Sequence, residues 1–126
     1  MAGQAEELAD RYWGALNNQD YGALKEMYNE DAVQEWPQSG ERMVGRDNII
    51  AVNENYPGMP HATPRRTVAS GDLLIAEVTL NYPGDVGTYH SISILQLKDG
   101  KIAMETDYFG APFEAPEWRA QWVERK

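Results

Sequence analysis

The stretch LLIAEVTLNYPGDVGTYHSISILQLKDGKIAMETDYF, residues 73–109, decides the fold. Three runs in it, 73–82, 88–97 and 101–109, alternate side chains with the period of two that a β-strand imposes. Between them, PGDVG and KDGK supply the glycine, proline and aspartate of tight turns. A fourth run at 67–70 precedes them and is joined through Gly71 and Asp72. Successive strands linked by short turns predict an antiparallel meander.

The turn chemistry predicts which residues share a face. Glycine stands third in a loop of Lys98, Asp99 and Gly100, the pattern of a three-residue hairpin with a glycine bulge. Leu97 then opposes Lys101, Leu95 opposes Ala103, Ser93 opposes Glu105, Ser91 opposes Asp107 and Tyr89 opposes Phe109. One face carries two carboxylates beside two serines, bordered by aromatic rings. The other carries Ile92, Ile94, Ile102, Met104, His90 and Tyr108. A two-residue turn would slip the register by one and break this grouping. The preceding strand sends Leu74, Ala76, Val78 and Leu80 to one side and Ile75, Glu77, Thr79 and Asn81 to the other. Two readings stand: Glu105 and Asp107 face water while the isoleucines pack on helices, or the carboxylates face a cavity and the isoleucine face is covered by another subunit.

Upstream, Leu8, Ala9, Tyr12, Trp13 and Leu16 recur at helical spacing from Ala5, with Glu6, Glu7, Asp10 and Arg11 opposite. Asp20 is placed to cap a second helix whose Tyr21, Leu24 and Tyr28 share a face and which ends near 29–31. A short strand at 32–36 stops at Pro37, a loop fills 37–45, and a third helix runs from about Arg46 to the stop at Pro57. Residues 57–64 read as loop. The order predicts an α+β domain, three helices on one face of a curved antiparallel sheet. The tail 110–126 holds Trp118 and Trp122 four apart and is expected to pack back on the domain or on a partner.

Composition narrows the function. The chain has 126 residues, so one domain is expected, with a core and room for a pocket. A net charge of -9 argues against nucleic acid, whose binding rests on clustered Lys and Arg. No apolar run is long enough to cross a bilayer and no signal segment is evident, so a soluble cytoplasmic protein is expected. The absence of cysteine excludes disulfides, thiol nucleophiles and thiolate metal sites. Two separated histidines give no metal motif, and no nucleophile elbow or phosphate loop occurs.

The run RYWGALNNQDYGALKEMYNEDAVQEWPQSGERMVGRDNI, residues 11–49, followed by the meander and its DYF end, resembles the nuclear transport factor 2-like superfamily, in particular its SnoaL-like, polyketide-cyclase branch. The resemblance spans about residues 5–113. It implies a cone of three N-terminal helices on a curved sheet that encloses a deep, largely apolar pocket, with the convex face forming a homodimer. It turns the Glu105 and Asp107 face inward. Tyr12 matches the helix tyrosine that donates to the substrate oxyanion in ketosteroid isomerases of this fold. Their catalytic aspartate, just before a proline, corresponds to Trp36 with Glu35 one residue earlier, and their protonated acid falls near Ser93. Asp107 in DYF is similar to an aspartate of the limonene-epoxide-hydrolase branch, whose other two site residues correspond to Glu77 and Thr79. SnoaL-like cyclases use a single acid, for which Asp107 or Glu105 is the candidate.

Two carboxylates two apart on a strand face lie about 7 Å apart, and an apolar setting raises the pKa of such groups. One then serves as acid while the other serves as base. Asp107, Glu105 and Tyr12 are the expected catalytic set. Trp13, Tyr28, Glu35, Trp36, Glu77, Tyr89, Ser91, Ser93 and Phe109 are the expected binding residues around a small hydrophobic ligand. No metal or cofactor is expected. A non-catalytic ligand-binding or dimerisation module on the same fold is the alternative.

Overall fold

The computed structural model describes residues 3–84 and 86–125. Helix α1 (Gln4–Asn17) begins where the Glu6 side chain accepts the Gly3 N–H, and it buries Leu8, Ala9, Tyr12 and Trp13. Helix α2 (Tyr21–Glu26) is capped by Asp20, which accepts the Ala23 N–H at 3.1 Å. Strands β1 (Tyr28–Trp36) and β2 (Glu41–Val44) form a hairpin, helix α3 (Arg46–Glu54) follows, and then β3 (His61–Ser70), β4 (Leu73–Asn81), β5 (Thr88–Lys98) and β6 (Lys101–Gly110) complete the sheet. A 3₁₀ helix covers Glu117–Trp122.

The six strands lie in the order β2-β1-β6-β5-β4-β3. The meander is antiparallel as expected, but β1 pairs parallel with β6, so the sheet is mixed. Its curved face carries the helices and the core. Four boundaries differ from the sequence reading. Tyr28 begins β1 instead of closing α2, because its ring belongs beneath the helices, where it is fully buried. Strand β1 therefore starts four residues earlier than expected. Residues 41–44, expected as loop, form β2 by pairing with 33–36. Strand β3 starts at His61 and absorbs Pro64, which is tolerated because β3 is an edge strand with a bulge at that point.

Hairpin β5–β6 turns on two residues, not three. Asp99 and Gly100 both have positive φ, 55° and 79°, the requirement of a type I′ turn, and Lys98 faces Lys101. Leu97 faces Ile102, but Gln96 faces Met104, so Ala103 is an extra residue bulged out of β6. The tight turn shifts the register by one and the bulge by one more. The net displacement of two conserves the faces: Ser93 opposes Asp107, Ser91 opposes Phe109 and Leu95 opposes Glu105. Ile102, expected on the far face, is instead fully buried in the core, since it precedes the bulge.

Asn17, at the end of α1, holds the helix to the sheet. Its amide donates to the Ala62 carbonyl and accepts the Ala62 N–H, both at 2.8 Å. Among the described residues no helix is long and apolar enough to cross a membrane.

In the tail, Ala115, Pro116 and Arg119 are half-buried, but the largest apolar side chains are not covered. Phe113 is 82% exposed, and Trp118 and Trp122 are 72% exposed each.

Candidate active site

Glu105 and Asp107 point inward and are both buried. The strand partner of Glu105 on β1 is Gln34, and this adjacency builds the site. Glu105 accepts three hydrogen bonds: from the Tyr12 hydroxyl at 2.9 Å, the Tyr28 hydroxyl at 2.6 Å and Gln34 Nε2 at 3.0 Å. The same Gln34 nitrogen donates to Asp107 Oδ2 at 2.6 Å, and Trp36 Nε1 donates to that oxygen at 3.3 Å. Neither serine bonds a carboxylate, and neither does an arginine. Ser91 and Ser93 line the cavity as small residues that leave it open.

Two buried carboxyls without a buried cation cannot both ionise cheaply. Burial pushes the Glu105 carboxyl well above the usual range, the nearby Asp107 carboxyl adds to this, and the bonds from Tyr28 and Tyr12 oppose it. Burial thus favours the protonated form of Glu105. Burial, then the Glu105 charge, also raises both Tyr12 and Tyr28, which remain hydroxyl donors.

A cavity of ≈ 60 Å³ lies against these groups, walled by Tyr12, Trp13, Leu16, Val78, Leu80 and Phe109 among others. That is room for roughly four ordered waters or the compact end of a ligand. Three buried polar atoms at it have no protein partner: Asp107 Oδ1, Gln34 Oε1 and the Trp13 Nε1–H donor. An adjoining outer bay of ≈ 350 Å³ shares the walls Trp36, Tyr56, Tyr82 and Phe109 and adds Tyr89. Trp36 and Phe109 meet edge to face at 5.9 Å, while the Tyr56 and Tyr82 hydroxyls bond at 2.9 Å. Gln38 clamps the Phe109 backbone, accepting its N–H at 2.6 Å and donating to its carbonyl, which fixes the ring at the mouth.

The inward carboxylates, Tyr12, Trp13, Trp36, Ser91, Ser93 and Phe109 are brought together at the inner cavity. Tyr12 does not present its hydroxyl proton to the cavity, because Glu105 takes it. Tyr28 lies behind Glu105 as a support, with no exposure to a ligand, and Tyr89 stands at the outer bay. Two expected binding residues fall elsewhere. Glu77 sits on the convex face, exposed and 4.0 Å from Arg66, because its neighbours Ala76 and Val78 take the inward positions of β4. Glu35 alternates away from Gln34 and faces Arg42 across the β1–β2 pair. Gln34, Asn53, Tyr56, Met59 and Tyr82 are site residues that the sequence reading missed. Only Gln34 had a visible signal, a polar residue alternating with Ala32 on the buried face of β1. Among the described residues no cluster of His, Asp and Glu could hold a metal.

The model of the SnoaL-like domain family matches residues 9–105. A protein of unknown function from Burkholderia xenovorans, described as NTF-2 like, is 38% identical over 98% of this chain and 95% of its own, with a TM-score of 0.84. A Kribbella flavida protein provisionally named a ketosteroid isomerase is 29% identical over 98% of this chain and 90% of its own, at a TM-score of 0.88. A Shewanella putrefaciens protein provisionally named a SnoaL-like polyketide cyclase shares the fold at 19% identity, covering 87% and 92% of the two chains, with a TM-score of 0.73. No curated protein matches the chain. The chain belongs to the SnoaL-like family, on the nuclear transport factor 2-like fold.

Proposed function

We propose that the protein is a cofactor-free acid/base enzyme of the cytoplasm acting on a small, largely apolar molecule with one hydrogen-bond acceptor. The observation that carries this reading is the buried carboxyl pair of Glu105 and Asp107 at the wall of one cavity, where Asp107 Oδ1 and the N–H of Trp13, another lining residue, have no protein partner. Asp107 Oδ1 takes a proton from the bound molecule as general base. Trp13 Nε1–H steadies the oxygen on which negative charge develops. The protonated Asp107 then returns the proton, while Glu105, linked to Asp107 through Gln34 Nε2, is held in place by Tyr12, Tyr28 and Gln34. Isomerisation, cyclisation, dehydration and epoxide opening all fit this set, and the provisional isomerase and cyclase names among its relatives lie in the same range.

The test is a panel of small β,γ-unsaturated ketones and 1,2-epoxides, followed by enone absorbance and diol formation. Asp107→Asn is expected to lower turnover about 10²–10⁴-fold with the fold intact by circular dichroism. Equal turnover by wild type and variant would remove the mechanism. Binding without catalysis is the second reading, favoured by one observation: both Glu105 oxygens are already engaged by protein donors.

A homodimer through the convex face belongs to the same proposal. Across β3, β4 and β5 the register aligns Val68, Ile75 and Ile94, and the next row but one aligns Glu77, Ile92 and Tyr108. Beside the Glu77–Arg66 pair, this face exposes large apolar side chains in the single chain, with Val68 54% and Tyr108 45% accessible.

A further inference from the structure

Apolar walls alone do not specify what enters the site, but its charge and its aromatic content narrow the choice. Trp36, Tyr56, Tyr82, Tyr89 and Phe109 surround the outer bay, with Glu41 at its rim. None of the described residues lining either the bay or the inner cavity is Lys, Arg or His. Asp107 lines the inner cavity and is 4% exposed, and its Oδ1 has no protein partner. The Trp36 indole donates its N–H to Asp107 Oδ2, so an aromatic ring is fixed beside the carboxylate. A negative group among ring faces, with no cation to balance it, complements one ligand type: cations favour aromatic faces, and most strongly where water is excluded. An anionic molecule would meet the opposite field.

We infer that the ligand of this site is a small ammonium compound, its cationic end held between the rings of the outer bay and Asp107, and its hydrogen-bond acceptor directed at Trp13. This rests on the proposed use of the cavity and adds the charge of what fills it. The inner volume of ≈ 60 Å³ suits a compact group better than a fused-ring skeleton. The free Trp13 N–H provides the donor for a hydroxyl or carbonyl oxygen on the same molecule.

The test compares choline with its uncharged isostere 3,3-dimethylbutan-1-ol, which has the same shape and hydroxyl but no charge. Binding is read from the four tryptophan indole N–H signals in nitrogen–proton spectra, with Trp13 and Trp36 assigned through Trp→Phe variants. Choline is expected to bind at least tenfold more tightly and to move the Trp13 and Trp36 signals, leaving Trp118 and Trp122 in place. Trp36→Leu and Asp107→Asn are each expected to reduce that preference, read as the ratio of the two affinities in the same variant. Equal affinity, or tighter binding of the alcohol, overturns the ammonium assignment and leaves the acid/base reading intact. Binding of neither probe also overturns it. Failure of the acid/base reading shows separately, as unchanged turnover in Asp107→Asn.

Discussion

Glu105 is the residue on which the site turns, because it is a fully buried carboxyl without a cation. Its folded pKa is raised above the unfolded value, mainly by burial and then by Asp107. The folded state therefore holds a proton that the unfolded state releases. The stabilising effect is fully present below the unfolded pKa, near 4.5, and is lost as pH rises toward the raised folded value. Urea midpoints of the wild type are accordingly expected to fall from mildly acidic to mildly alkaline pH, staying below 10 so that the tyrosines do not enter. Glu105→Gln, which cannot ionise, is expected to flatten that slope. A slope unchanged in the variant would assign the pH dependence to other groups. Carbon-detected titration adds a sharper expectation: Asp107→Asn removes a charge that lifts Glu105, so the Glu105 pKa moves down. The inward direction of these two carboxyls was legible from the strand pattern together with the family resemblance. Their bonding was not, since Gln34 and Tyr28 reach Glu105 across 71 and 77 residues of chain.

The β5–β6 hairpin shows how an element can be read correctly in its faces and incorrectly in its pairing. Lys98, Asp99, Gly100 and Lys101 are compatible with a two- or a three-residue loop, because aspartate and glycine both accept positive φ. Nothing local distinguishes the two. The bulge at Ala103 is fixed instead by packing: Ile102 and Glu105 must both point inward although three residues apart, and one unpaired residue allows this. Deleting Ala103 removes the unpaired residue and leaves Ile102 and Glu105 two positions apart, so Ile102, Glu105 and Asp107 are expected to stay inward with Gln96 still opposite Met104. The deletion protein should keep the dispersion of its amide spectrum and its cooperative urea transition. Ala103→Ser, which keeps the count, should unfold within about 1 kcal/mol of the wild type. A deletion variant that unfolds, or in which Asp107 becomes exposed, would mean that the bulge itself is required to hold the register. Strand β2 and the parallel β1–β6 pair escaped the sequence reading for a related reason. Residues 41–44 carry no strong alternation of their own, and the partner of β1 is the last strand of the meander, far along the chain.

At the scale of the whole molecule, the convex face and the tail remain uncovered in a single chain. Ile75, Ile92, Tyr108 and Val68 project from one side of the sheet, while Phe113, Trp118 and Trp122 stand away from the domain. Large exposed apolar patches on a small domain mark interaction surfaces, and a stable pair of proteins typically buries about 800 Å² per partner. The convex face is the better candidate for a symmetric contact, since a sheet face can meet its own copy about a two-fold axis with every residue used on both sides. Light scattering is therefore expected to give about twice the 14.2 kDa chain mass at micromolar concentration. Ile92→Glu places a charge at the centre of that face, beside Glu77 and Tyr108, and should yield a folded monomer whose cavity residues are unmoved. Replacing Trp118 and Trp122 with serine separates the two surfaces: a dimer that persists assigns the contact to the sheet, whereas dissociation shows that the tail is required. A wild-type chain that stays monomeric at high concentration removes the dimer proposal and leaves the carboxyl site as it is, because every group bonded to Glu105 and Asp107 comes from within one chain.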